Sequence, residues 1–139
     1  MKHKTLGKIQ ENPFDEARRY IQNAKNILKE KAVKEGDFYN DKKYVRMAGN
    51  TAWNGCLIAL EATLKVKKTL KKANRPDIQN YKDAASKIDR NANDKIVMTA
   101  YNHLHLIMGY DGELSYKTVQ EGLKRGENLI EWCEKHYKP

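Results

Sequence analysis

Cysteine and long apolar runs are scarce in this 139-residue sequence, and each shortage excludes a class of protein. The two cysteines, Cys56 and Cys133, lack a CxxC or Cys/His spacing, so neither a disulfide-stapled scaffold nor a zinc site is predicted. No apolar run approaches the roughly 18 residues of a membrane span, and no signal-peptide-like segment follows the basic N-terminus. We therefore expect a cytoplasmic protein that does not enter a membrane and whose cysteines are buried free thiols.

Catalytic and metal-binding patterns are scarce as well. No Ser/His/Asp order, catalytic carboxylate pair or glycine-rich phosphate loop can be identified, so we expect no cofactor and find no positive sign of an enzyme. His103 and His105 lie two residues apart, which on a helix turns them about 200° from one another. Zinc-binding helices space their histidines four apart, so no metal ligand is predicted.

The sequence has an excess of positive charge: 27 Lys and Arg against 18 Asp and Glu, for a net charge of +9. This balance favours an anionic partner through electrostatic steering. Basic residues are densest over residues 65–75, where the lysines relevant to binding are Lys67, Lys68, Lys71 and Lys72. They form either a solvated helix end that suits the negative end of the dipole or a stripe that contacts phosphates.

Apolar residues recur at helical spacing along most of the chain, and no segment shows the alternation of a strand. Residues 1–11 lack this periodicity and are predicted to be a flexible N-terminal arm, while residues 12–139 form a single helical domain. Helices are predicted to begin at Asn12-Pro13, around Asn40-Asp41, at Ile78, at about Asp94 and after Ser115. The first is expected to end near Lys34. The pattern indicates an all-α fold.

The second predicted helix carries mainly small residues on its inward face. Gly49 and Gly55 each cost about 1 kcal/mol relative to alanine inside a helix, which indicates a packing reason for both. Without bulk at the contact, a neighbouring helix can approach closely. Trp53 makes the helix apolar on a further side, so we expect this helix to be central.

The most apolar stretch, residues 100–112, is predicted to be a buried helix that ends in a tight corner. Gly109 is the expected C′ residue of this helix, and the following residues form the turn. The turn either only positions the last helix or forms a recognition corner with the preceding helix. The binding interpretation brings together Tyr101, His105, Tyr110 and Asp111. In it, a histidine beside a carboxylate would be a usable acid–base pair.

Four segments together carry a family resemblance. They read ARRYIQNA (17–24), EGDFY (35–39), ALEATL (59–64) and AYNHLH (100–105), the last leading to GYDG (109–112). In these features the chain resembles the HEPN-like helical domains, which are small prokaryotic domains often linked to nucleotidyltransferases, and in particular a small uncharacterised bacterial branch. The resemblance implies an up-and-down four-helix bundle with an additional short helix, frequent dimerisation, and an accessory or binding role.

HEPN-like ribonucleases carry an arginine that is followed, after four to six residues, by a histidine. In this sequence Arg90 is followed at those positions by Lys95, Ile96 and Val97, and no other arginine reaches a histidine at that spacing. No catalytic residue is therefore carried over from the family.

These observations leave three functional hypotheses. The first is a non-catalytic helical-bundle module that binds a partner protein or dimerises. The second is a nucleotide- or RNA-binding accessory domain of a nucleotidyltransferase-type or toxin–antitoxin-like system, which would use the lysines and the corner. The third is an unrecognised enzyme, such as a nuclease with altered residues.

Overall fold

A computed structural model describes residues 12–70 and 75–139, which form helices and one small hairpin. The elements are α1 (Pro13–Ile27), π1 (Leu28–Ala32), β1 (Lys34–Glu35), β2 (Phe38–Tyr39), α2 (Lys42–Leu64), α3 (Val66–Thr69), α4 (Ile78–Ile88), π2 (Asn93–Met98), π3 (Tyr101–Met108) and α5 (Tyr116–His136). The predicted all-α class is confirmed. The predicted arm, residues 1–11, and the lysines Lys71 and Lys72 lie outside the described residues.

Side-chain caps explain where the helices begin. The Asn12 side chain accepts hydrogen bonds from the backbone N–H groups of Phe14 and Asp15, both at 3.1 Å, and Pro13 occupies the first turn of α1. The Ser115 hydroxyl accepts from the Thr118 N–H at 3.3 Å and begins α5. These starts agree with the sequence prediction because capping depends on residues that are close in sequence.

The central position predicted for α2 is confirmed, since α2 packs against α1, α5 and π3. A Cβ added to Gly55 would lie 2.8 Å from the Ala17 carbonyl oxygen of α1. A Cβ added to Gly49 would lie 2.5 Å from the Leu104 carbonyl oxygen of π3. Both glycines therefore have the packing reason that the sequence indicated: they allow two neighbouring backbones to approach α2 closely.

Two local predictions were wrong. No strand was predicted, yet β1 and β2 pair in antiparallel fashion about a turn in which Gly36 has a φ of 60°. Two-residue strands are too short to show an alternating pattern. Gly109 was expected to be the C′ residue, which is usually left-handed, but it is the C-cap residue and its φ is −68°. The positive φ belongs to Gly112, at 68°, where an added Cβ would meet the Lys42 side chain.

The helix that contains π2 and π3 is wider than an α-helix. Its end is closed by bonds that span five residues, from Gly109 N–H to Leu104 O and from Asp111 N–H to Leu106 O, both at 2.9 Å. π-Helical turns are rare and often occur at functional sites. Among the described residues, no helix is long and apolar enough to cross a membrane.

Candidate functional site

The corner after π3 is fixed by two side chains of α2. The Arg46 Nε donates a hydrogen bond to the Tyr110 carbonyl oxygen at 3.0 Å, and the Asn50 Nδ2 donates to the Gly109 carbonyl oxygen at 3.2 Å. An added Cβ on Gly109 would collide with the Asn50 side chain, so the glycine permits this approach. The turn is therefore held in one conformation by the neighbouring helix.

Three rings meet beside this corner, where α2 faces π3. The Trp53 and Tyr101 rings are 5.4 Å apart edge to face, and the Tyr101 and His105 rings are 5.2 Å apart. Trp53 is buried, whereas Tyr101 and His105 are half-buried. The structure thus brings together Tyr101 and His105, as predicted, and adds Trp53, which the sequence indicated only as a core residue.

The acid–base pair considered for His105 would need a hydrogen bond between its ring and a carboxylate, and the structure shows none among the described residues. The His105 Nδ1 is buried and makes no hydrogen bond with any residue that the structure describes. Asp111 is exposed on the turn. His103 faces away from this cluster, and its Nδ1 lies 3.0 Å from the Thr99 carbonyl oxygen of its own helix. The arrangement therefore offers contact groups rather than a proton-transfer pair.

Exposed contact groups flank the corner on both elements. The Tyr110 side chain is 76% exposed, and Met47 on α2 is 45% exposed. Met47 adjoins Asn50, which is also exposed and lies three residues further along the helix. We define the corner surface as Arg46, Met47, Asn50, Tyr101, His105, Tyr110 and Asp111. Arg46, Met47 and Asn50 were absent from the predicted site, because no local pattern links α2 to a turn about 60 residues away.

The predicted lysines do not adjoin the corner surface. Lys67 and Lys68 are exposed in the short helix α3, beyond the far end of α2. From Asn50 to Lys65 the chain advances about 22 Å along the helix axis, at 1.5 Å per residue. The Lys67 backbone N–H is capped by the Glu61 carboxylate, at 3.1 Å to its nearer oxygen. The described part of the basic stripe and the corner are therefore two separate surfaces.

Within residues 12–70 and 75–139, no three His, Cys, Asp or Glu side chains form a group that could hold a metal ion. Cys56 and Cys133 are buried free thiols, as the sequence predicted. Burial raises the pKa of the Cys133 thiol to about 12 and that of Cys56 in the same direction. Neither sulfur is a thiolate at neutral pH, and only the thiolate is a nucleophile.

Comparison with known proteins relates the chain to others of similar sequence and fold. A family described as a domain of unknown function (DUF5618) matches residues 12–135. A solved structure of a protein of unknown function from Dyadobacter fermentans is 38% identical in sequence, with a TM-score of 0.78, over 91% of this chain and 95% of that chain. No match was found among curated proteins.

Proposed function

We propose that this chain, which belongs to the DUF5618 family of domains of unknown function, is a non-catalytic helical module that binds a partner protein through the corner surface. The observation that carries the proposal is the exposure of Tyr110, 76%, on a backbone that Arg46 and Asn50 hold in place. Tyrosine and arginine are enriched among residues that dominate binding energy. A fixed backbone also reduces the entropy lost on binding.

The charge of the chain favours an acidic protein over a second copy as the partner. Lys42, Lys43 and Arg46 are exposed along the start of α2, next to the corner. Two copies that each carry a net charge of +9 repel one another, whereas an acidic surface is attracted to this region. The dimer that the family resemblance implies is therefore the alternative outcome of the test below.

Site-specific photocrosslinking tests the proposal in cells that make this protein. A photoreactive p-benzoylphenylalanine replaces Tyr110 in one variant and Met47 in a second. A control variant carries it at Ile88, the last residue of α4, which is 45% exposed and lies near the far end of α2 from the corner. We expect both corner positions to give the same adduct with one acidic protein, and the control position to lack it. An adduct with the mass of two copies would instead identify a dimer and contradict the acidic partner.

The identified partner is then purified, and its affinity for the full chain is measured by calorimetry. We expect Tyr110→Ala and Arg46→Glu each to weaken binding at least tenfold, in the range of hot-spot residues. Ile88→Ala should leave the affinity within twofold. Equal affinities for all three variants would show that the corner surface is not the binding site.

We further propose that the helices form an up-and-down four-helix bundle of the HEPN-like kind. In this arrangement α1, α2, the helix containing π2 and π3, and α5 are the four members, and α4 is the additional short helix. The packing of α2 against α1, α5 and π3, and of α5 against α1, supports the proposal. Superposition on solved HEPN-like domains tests it: a TM-score below 0.5 with a different helix order would contradict it.

A further inference from the structure

A second site, independent of the corner surface, lies where the hairpin meets α1, π1 and α5. It is a cleft of about 340 Å³, which is within the range of small-molecule sites. We define the hairpin cleft by its lining residues, Lys25, Leu28, Lys29, Lys34, Tyr39, Tyr116, Gln120 and Leu123. Three of these eight side chains are basic and none is acidic, so the cleft combines positive charge with an apolar surface.

The apolar part of the cleft suits a flat ring. Leu28 and Leu123 are each 2% exposed and form a rigid apolar surface in the core. The Tyr116 ring is 36% exposed and lies 5.6 Å from the buried Tyr39 ring, at an angle of 40°. An aromatic ligand in this position can pack against the exposed part of the Tyr116 ring, above a floor formed by the two leucines.

The positive charges around the cleft are only partly neutralised. The Lys25 ammonium pairs with the Glu127 carboxylate at 2.7 Å. Lys29 and Lys34 make no ion pair with any carboxylate that the structure describes. The Lys34 ammonium lies over the Tyr116 ring, 4.7 Å from its centre, so this cation is held directly at the aromatic wall of the cleft.

The Tyr39 hydroxyl supplies a further donor. Its oxygen accepts a hydrogen bond from the Gln120 Nε2 at 3.0 Å, while its own proton has no acceptor among the described residues. Tyr39 is only 5% exposed, and burial raises the pKa of its phenol, so the group stays protonated at neutral pH. The Tyr39 hydroxyl can therefore donate its proton to an anionic oxygen that binds in the cleft.

We propose that the hairpin cleft binds a small aromatic anion. Its ring lies against Tyr116 and the two leucines, and its carboxylate or phosphate accepts hydrogen bonds from Lys29, Lys34 and the Tyr39 hydroxyl. Lysine ammonium groups bind either anion as point charges.

Calorimetric titration of the full chain tests this inference with 1-naphthoate, 1-naphthyl phosphate and the neutral 1-naphthalenemethanol. We expect saturable 1:1 binding of at least one anion, and at least tenfold weaker binding of the alcohol. The anion that binds more tightly identifies the head group that the cleft prefers. Binding should weaken at least tenfold in the double variant Lys29→Gln/Lys34→Gln.

Lys31→Gln is the matched control, because Lys31 is exposed in the same π1 segment but does not line the cleft. It should bind within twofold of the unaltered chain. Tyr39→Phe retains the buried ring, removes only the hydroxyl, and should weaken anion binding threefold or more. Amide chemical shifts should change around Tyr39, Tyr116 and Gln120. The inference is overturned by an absence of saturable anion binding, by equal loss in the Lys31 variant, or by shifts elsewhere.

Discussion

The missing side chain of Gly49 determines how closely α2 approaches π3. An added Cβ would lie within 2.7 Å of the Leu104 carbonyl oxygen, the Met108 Cβ and the Gly109 nitrogen. Two of these atoms belong to the backbone and cannot move without shifting the helix. The next residue, Asn50, donates a hydrogen bond to the Gly109 carbonyl oxygen at the corner. Any shift at the Gly49 contact therefore also displaces the corner surface.

Gly49→Ala is therefore expected to destabilise the fold despite the better helix propensity of alanine. Overpacking of a close contact costs about 1–3 kcal/mol, which exceeds the gain of about 1 kcal/mol from replacing a helical glycine. Urea unfolding followed by circular dichroism measures the difference. Asn54→Ala, at an exposed position of the same helix, should change the free energy of unfolding by less than about 0.5 kcal/mol. A Gly49 variant as stable as this control would show that the contact is not tight.

At the scale of single elements, α5 begins where the hairpin and the corner loop meet. The Ser115 hydroxyl caps its first turn, and the Ser115 backbone pairs with Phe38 of β2 in an isolated bridge. The Tyr116 N–H donates to the Asp37 carbonyl oxygen at 2.9 Å. The start of α5 therefore sets the position of Tyr116 in the hairpin cleft.

Ser115→Ala removes the cap but leaves the backbone bridge in place. We expect a loss of about 1 kcal/mol in the free energy of unfolding, the usual cost of replacing a serine cap. Ser86→Ala is a suitable control, because the only hydrogen bond of the Ser86 hydroxyl to a described residue is to the Lys82 carbonyl oxygen of its own helix, at 2.9 Å. That substitution should be neutral or slightly stabilising. Equal losses in both variants would indicate that Ser115 does not act as a cap.

At the scale of the whole molecule, the two buried thiols are expected to lower the free energy of unfolding at alkaline pH. Cys56 of α2 and Cys133 of α5 are fully buried, and burial raises both pKa values above the ordinary 9.0. In the folded state Cys133 keeps its proton up to about pH 12, and Cys56 also keeps its proton well above pH 9. In the unfolded chain both thiols lose their protons above about pH 9. Above that pH the unfolded state binds fewer protons, so stability must fall as the pH rises.

Urea unfolding at pH 8, 9 and 10 should show this loss. Each thiol is expected to contribute about 1.4 kcal/mol between pH 8 and pH 10, from 1.36 kcal/mol per pKa unit. The double variant Cys56→Ala/Cys133→Ala should start from a lower stability because of the cavities, yet lose less between pH 8 and pH 10. A pH dependence that is unchanged in this variant would rule out the thiols as its cause.

The features that could be predicted from the sequence are those that depend on residues close to one another in the chain. Asn12 and Ser115 were identified correctly because a capping side chain bonds a residue two or three positions away. The hairpin was missed because its strands are two residues long. The role of Gly109 was predicted incorrectly because a π-helical end moves the positive φ to Gly112.

The sequence by itself determined the helical class, the helix starts, the central place of α2 and the burial of both thiols, since periodicity, capping and side-chain size act locally. Only the tertiary structure decided the two candidate sites. Arg46 meets the corner across 64 residues, and Gln120 meets Tyr39 across 81. Polar contacts between residues so far apart leave no periodic pattern in a sequence, because they depend on how the packed helices bring particular surface positions together.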